Sequence, residues 1–248
     1  MILLKVFISP VEVVLMTKVW DQYTVGRYEL FDKKQTTLEL KYIKLNQGKY
    51  LPGDKRSKIL EIGFGRGSFL AYLKTEGYTN YLGIEIGKSQ FNFVKKNITS
   101  RVKLLTNTLD FLRKHKHTYD VIFLGEVIAH LPKNKVIAYL TAIRQSLTAQ
   151  GILLIKTPSI TNPFCLRSVS NDFTYTTLYS YESIKQILSL AGFNKILIEE
   201  ETFKVGLKGY VYQGILSTFN FFLRLILILH NRTNNLILTK MMLIKASV

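Results

Sequence analysis

Short apolar runs and helix-period segments take turns along most of this chain. Ile59, Leu60 and Ile62 form a compact apolar run, the pattern of a strand buried on both faces of a parallel sheet. Ser68 to Lys74 then has helical spacing, and the helix extends to about residue 76. A second apolar run, Tyr81 to Ile84, ends in Glu85, with a helix over about 88–97. Val102–Leu105 and Asp120–Leu124 read as the third and fourth strands. Val136–Leu147 is helical and closes at Ala149-Gln150-Gly151, and Gly151–Pro158 is the fifth strand. Ser180 caps a helix as a plain serine, since no glutamate stands three residues on, and Ala191-Gly192-Phe193 stops it. Lys195–Glu199 is the sixth strand and Met241–Ala246 the best candidate for a seventh. Ahead of all these, Tyr28–Leu45 has helical spacing, with Leu30, Leu38, Leu40, Ile43 and Leu45 expected inside and Asn46-Gln47-Gly48 as the C-cap. Strands alternating with helices imply an α/β fold whose mostly parallel sheet is covered on both faces.

One stretch departs from this rhythm. Residues 205–235 form an apolar insertion between the sixth and seventh strands. Within 210–230, Gln213, Ser217, Asn220 and Arg224 fall at spacings of four, three and four, one narrow polar stripe on a helix. The rest is a wide apolar face that includes Phe219, Phe222 and Ile226. A transmembrane span needs about 20 apolar residues. Here it would bury Arg224 at a cost and part the sixth strand from the seventh. Two readings remain open: a helix packed on the domain or in a homodimer interface, and an interfacial helix giving peripheral contact with the cytoplasmic membrane face.

The chemistry concentrates between the first two strands. Gly63, Gly65 and Gly67 stand at alternate positions directly after Ile62. Without Cβ atoms they let the backbone turn sharply and approach a ligand closely. They also open a helix whose N-terminal amides face that ligand. Glu85, at a strand's C-terminal end, suits ribose hydroxyls. A dinucleotide site usually places its third glycine one residue later. A glycine-rich turn with no ligand is the bland alternative.

Composition narrows the partners. The 248 residues suit one domain with decorations, and 47% hydrophobic content supports a full core. One cysteine, Cys165, rules out an internal disulfide framework and suits a reducing cytosol, with burial as a small hydrophobe its expected role. The net charge of +17 favours an anionic partner, or reflects a lysine-rich proteome that gives the same surplus. Its spread along the chain, with no basic tail or arginine cluster, makes nucleic acid unlikely. The opening apolar residues carry no secretory pattern.

Lys58-Ile59-Leu60-Glu61-Ile62-Gly63-Phe64-Gly65-Arg66-Gly67 resembles motif I of the class I S-adenosylmethionine-dependent methyltransferases. The resemblance covers most of the chain. It implies a Rossmann-like domain over 58–204 and 236–248, with a seven-stranded sheet whose last strand returns antiparallel beside the sixth. It also implies S-adenosylmethionine as cofactor, held by Glu61, Gly63, Phe64, Gly65, Gly67, Glu85, Ile86, Asn107, Thr108 and Glu126. Thr17-Lys18-Val19-Trp20-Asp21-Gln22-Tyr23 resembles the usual opening of bacterial relatives, which implies Met16 as the natural start and residues 1–15 as an extension, followed by a helical cap over 16–57. Asn107 stands where relatives carry an acid for the adenine amine, and Asp110 is the alternative acceptor. Gly125 to Pro132 resembles a segment in which Glu126 and His130 match the family's acid and histidine, while Ala129 replaces a glutamate that holds metal in some quinone-pathway relatives. No metal is therefore expected. Asn171-Asp172-Phe173-Thr174-Tyr175, inside the long connection 159–180, resembles an Asp-Phe-Thr-His signature of methyltransferases from polysaccharide and cell-envelope clusters, with Tyr175 in place of the histidine.

The implied reaction is methyl transfer in the cytoplasm to a small molecule or glycan, with a surface-polysaccharide sugar hydroxyl as the expected acceptor. Such a hydroxyl needs a base, and His130 is the first candidate, with Glu126 holding the methionine end or the acceptor. Asp172, Thr174 and Tyr175 are the candidate substrate residues. Methylation of a quinone or lipid precursor is an alternative, and a non-catalytic cofactor-binding scaffold subunit is another.

Overall fold

The computed structural model describes residues 33–165, 170, 172–231 and 234–248. The expected start at Met16, the extension before it, Leu30 and Asn171 lie outside them. In chain order the elements are α1 (Lys33–Asn46), β1 (Ile59–Ile62), α2 (Ser68–Thr75), β2 (Tyr81–Glu85), α3 (Lys88–Asn97), β3 (Val102–Leu104), α4 (Thr108–Lys114) and β4 (Tyr119–Gly125). They continue with α5 (Lys133–Ser146), β5 (Leu147–Pro158), α6 (Tyr181–Leu190), β6 (Lys195–Glu200), α7 (Gly206–Asn231) and β7 (Met241–Ser247).

The strands form one seven-stranded sheet in the order β3-β2-β1-β4-β5-β7-β6. β7 pairs antiparallel with both β5 and β6, and the other neighbours in the sheet run parallel. The period of two along each strand sorts its side chains onto two cores. Leu60, Ile62, Ile122 and Leu124 join Leu140 and Ile143 of α5 and Ile184 and Leu188 of α6 on one face. Ile59, Val121 and Phe123 join Phe69, Leu70 and Leu73 of α2, Val94 of α3 and Ile43 of α1 on the other. Both faces are covered, which is why the central strands read as continuous apolar runs. The strand order reverses between β1 and β4, so a crevice opens at their carboxyl ends.

Several sequence expectations are corrected. Leu38 is half exposed, and α1 buries Asn46 instead. The Asn46 amide donates to Thr202 O and accepts from Thr202 N, 3.0 and 2.9 Å away, so a polar residue ties α1 to the chain after β6. Ser180 is no plain cap. Its Oγ accepts from Ser183 N and Ser183 Oγ accepts from Ser180 N, a reciprocal box made with serine in place of glutamate. β5 begins at Leu147, and its expected opening turn is extended chain. A Cβ at Gly151 would sit 2.9 Å from Tyr119 O, so glycine lets β5 lie against β4 there. Cys165 is buried, as its small apolar side chain suggests.

Candidate active site

The site grows from the carboxyl ends of β1, β2, β4 and β5. After Ile62 the chain turns through Gly63, Gly65 and Gly67, with φ of +70°, +49° and +76°. Side chains other than glycine rarely adopt that backbone. Space gives a second reason: a Cβ on Gly63 would collide with Val127 Cγ2, and one on Gly67 would come within 2.8 Å of Val94. Gly67 then caps α2 at its N-terminus. Phe64, between the glycines, is buried in the α2 core.

Glu85 closes this cradle from β2. Its Oε2 accepts from Gly65 N at 2.9 Å, and its Oε1 accepts from Ile86 N at 2.8 Å and Gly87 N at 3.1 Å. Burial is the larger influence and raises its pKa, while the three N–H groups oppose that rise. Glu61, one strand over, is buried, and its Oε2 has no hydrogen-bond partner among the described residues. Burial first, and the charge of Glu85 second, push its pKa well above the ordinary carboxylate range. An orphaned buried carboxylate oxygen beside a glycine cradle fits a ligand that brings a donor and positive charge.

Asn107 lies beyond β3 as the N-cap of α4, which Thr108 begins. Its Oδ1 accepts from Asp110 N at 3.1 Å, and its Nδ2 donates to Asp110 Oδ2 at 2.6 Å. The two acceptors that the sequence offered as alternatives are thus bonded to each other.

The other half assembles over β4. Glu126 has φ +66°, rare for a residue with a side chain. Its N–H donates to Lys156 O at 2.7 Å, and its Oε2 accepts from Tyr175 OH at 2.9 Å. The Tyr175 ring stacks on His130, with centroids 4.7 Å apart and planes 17° from parallel. His130 Nδ1 is 3.0 Å from Thr174 Oγ1, which donates to Asp172 Oδ1 at 2.5 Å. A hydroxyl has one proton, and here it goes to Asp172. Nδ1 must therefore be the protonated nitrogen, leaving the lone pair on Nε2. Thr176 N donates to Ala129 O at 2.9 Å, which pins this loop to the turn after β4. Burial lowers the His130 pKa, opposed by Thr174 and by the charges of Asp172 and Glu126.

Sequence reasoning passed over a third group. Lys156, at the end of β5, pairs with the buried Glu201 at 3.0 Å, and its Nζ lies 5.1 Å from the Tyr42 ring of α1. Burial and then Glu201 raise the Tyr42 pKa. The available signal was a lysine ending the apolar run Ile152–Ile155 and a glutamate just after β6. Tyr42 carried none, because its place depends on how α1 docks.

A sheet in this order, with a glycine turn after its first strand and a carboxylate ending its second, is the Rossmann-like class I methyltransferase fold. Residues 34–198 match the methyltransferase domain family, and the chain belongs to it. No curated protein matches the chain. Among solved structures, it is similar to a SAM-dependent methyltransferase from Archaeoglobus fulgidus, with TM-score 0.64, 21% identity, and 85% of this chain and 94% of that one covered. It is also similar to a possible histamine N-methyltransferase from Thermotoga maritima, with TM-score 0.62, 15% identity and coverage of 94% and 99%. Phosphoethanolamine N-methyltransferase 2 of Haemonchus contortus, in complex with S-adenosylmethionine, gives TM-score 0.55 at 15% identity, covering 92% of this chain and 59% of that one. At such identities these likenesses speak for the fold alone. The protein is a methyltransferase that uses S-adenosylmethionine, and the strand-end cradle, with its orphaned Glu61 oxygen, fits a ligand bearing an amine and a sulfonium.

Proposed function

We propose that the protein O-methylates a hydroxyl of a small molecule or glycan, with a sugar of surface-polysaccharide biosynthesis as the acceptor. One observation carries this reading: the Asp172–Thr174–His130 chain, which fixes the imidazole as the Nδ1–H tautomer. A neutral hydroxyl must lose its proton as it is methylated, and an oriented imidazole with a lowered pKa accepts protons at neutral pH. The Asp-Phe-Thr run that supplies two of these groups is also the run that resembles cell-envelope methyltransferases.

When bound, S-adenosylmethionine supplies an activated methyl group. Glu61, Gly63, Phe64, Gly65, Gly67, Glu85, Ile86, Asn107 and Thr108 hold it, with the Glu85 carboxylate toward the ribose and Glu61 toward positive charge. Glu126 sits between this half and the acceptor half, where Tyr175 OH fixes its carboxylate. His130 Nε2 takes the hydroxyl proton. Asp172 and Thr174 hold the ring and favour the imidazolium that forms, while the Tyr175 ring keeps its plane. Positioning of this kind supplies much of the acceleration in a displacement reaction.

The test is a methyl-transfer screen with S-adenosylmethionine against nucleotide sugars and lipid-linked glycans, with the methylated atom located by mass spectrometry and NMR. An O-methyl sugar is expected. Transfer confined to amines or to quinone precursors would overturn the reading. So would cofactor binding with no transfer to any of these acceptors, which is the behaviour of a scaffold subunit.

A further inference from the structure

Helix α7 wears its amphipathicity inside out. Its polar stripe meets the domain at Gln213, Asn220 and Arg224, while Ser217 is exposed and accepts from Gln213. Gln213 Oε1 accepts from Phe203 N at 2.9 Å, Asn220 is 9% exposed, and Arg224 Nη2 donates to Glu200 Oε1 at 3.1 Å. Val211, Ile215, Phe219, Phe222, Ile226 and Leu229 fall at spacings of four, four, three, four and three, one continuous face. Val211 and Gln213 are two positions apart, a rotation of about 200° at 3.6 residues per turn, so this face points away from the domain, except that the Phe219 ring meets Phe164 at 5.7 Å. Each of the six is at least half exposed, and Leu229 is 82% exposed. Water is a poor neighbour for such a contiguous apolar face.

Charge selects the occupant. The helix contains no Asp or Glu, and Lys208 in its first turn and Lys204 just before it are exposed. The whole chain carries +17. A second copy would bring +17 against +17, whereas an anionic bilayer offers the complementary sign along with an apolar interior. The anchoring selects the orientation. The helix has the length and composition to cross a membrane. Yet Gln213 and Arg224 tie its middle to the domain, and Leu236, Ile237 and Leu238, soon after its end, are buried in that same domain. Both ends therefore stay on one side.

We propose that α7 seats the protein on an anionic membrane surface, lying in the interface with the Val211–Leu229 face in the acyl boundary and the domain above it. The seat stands independently of the acceptor reading. The experiment is sedimentation of the full chain with vesicles of phosphatidylglycerol and phosphatidylcholine, against pure phosphatidylcholine. Binding is expected at low salt, at least about tenfold weaker on the neutral vesicles, and reduced in about 0.5 M sodium chloride. Phe222→Ser with Ile226→Ser should weaken it by at least about tenfold, with the melting temperature and S-adenosylmethionine affinity unchanged. If that pair fails to fold, Ile215→Glu repeats the test at one exposed position. Wild-type protein left in the supernatant at low salt would overturn the proposal. So would a variant that turns a dimer into a monomer while vesicle binding persists. Protein that resists alkaline carbonate extraction would make α7 a span and overturn it equally.

Discussion

The two halves of the active site are built in opposite ways. Over β1 and β2, Glu61, the three glycines and Glu85 lie within 25 residues of one another, and backbone groups do most of the work. Over β4, Glu126 and His130 meet Asp172, Thr174 and Tyr175 across more than 40 residues of chain, chiefly through side chains: Tyr175 to Glu126, Thr174 to His130, and the Tyr175 ring on the imidazole. The first half is a fixed cradle whose conformation the glycines dictate. The second is an assembly that exists only while the loop stays docked. Binding should therefore follow the first half and turnover the second.

The strongest way to break that division is His130→Ala. Turnover should fall by about 10²-fold or more, the range for loss of an acid–base group, while calorimetry finds S-adenosylmethionine affinity unchanged. Undiminished turnover would remove His130 as the base. Asp172→Asn sharpens the same point. It takes away a charge that raises the His130 pKa and leaves a weaker, neutral acceptor for the Thr174 hydroxyl that orders the tautomer. The acid limb of the pH–rate profile should move to lower pH while the plateau drops about tenfold, and a merely structural lesion would lower the plateau without moving the limb.

Glu85→Ala strikes the other half. S-adenosylmethionine binding should weaken by roughly 1.5–3 kcal/mol, the range for hydrogen bonds to a charged group. Gly65, Ile86 and Gly87 also lose their common acceptor, so the melting temperature should fall with it. Unchanged affinity in the calorimeter would refute the assignment.

The smallest effect is expected from Glu61→Gln in the cofactor-free protein. Burial raises the Glu61 pKa, so the folded state holds its proton at a pH where the unfolded chain has released it. Stability from this group is then fullest below the ordinary carboxylate value of 4.5 and is lost as pH rises through the raised one. The variant should be more stable by about 1 kcal/mol at neutral pH, with a flatter dependence of melting temperature on pH. A parallel dependence in the two proteins would show that Glu61 does not carry the shift.

The sequence by itself determined the strand–helix alternation, the sheet's covered faces, the glycine cradle and Glu85. Each rests on local rules: period, backbone freedom, and a carboxylate at a strand end. It marked His130, Glu126, Asp172, Thr174 and Tyr175 one by one, through resemblance, and could not join them. Hydrogen bonds between residues far apart in the chain have no local signature. For the same reason Asn46 was read as part of a cap when it is a buried tie to Thr202, and Tyr42, Lys156 and Glu201 went unnoticed. The polar stripe of α7 was visible as a spacing, but its direction was not. Periodicity says which residues share a face, and only docking on the end of β6 turned the polar face inward and left Phe222 and Ile226 outside.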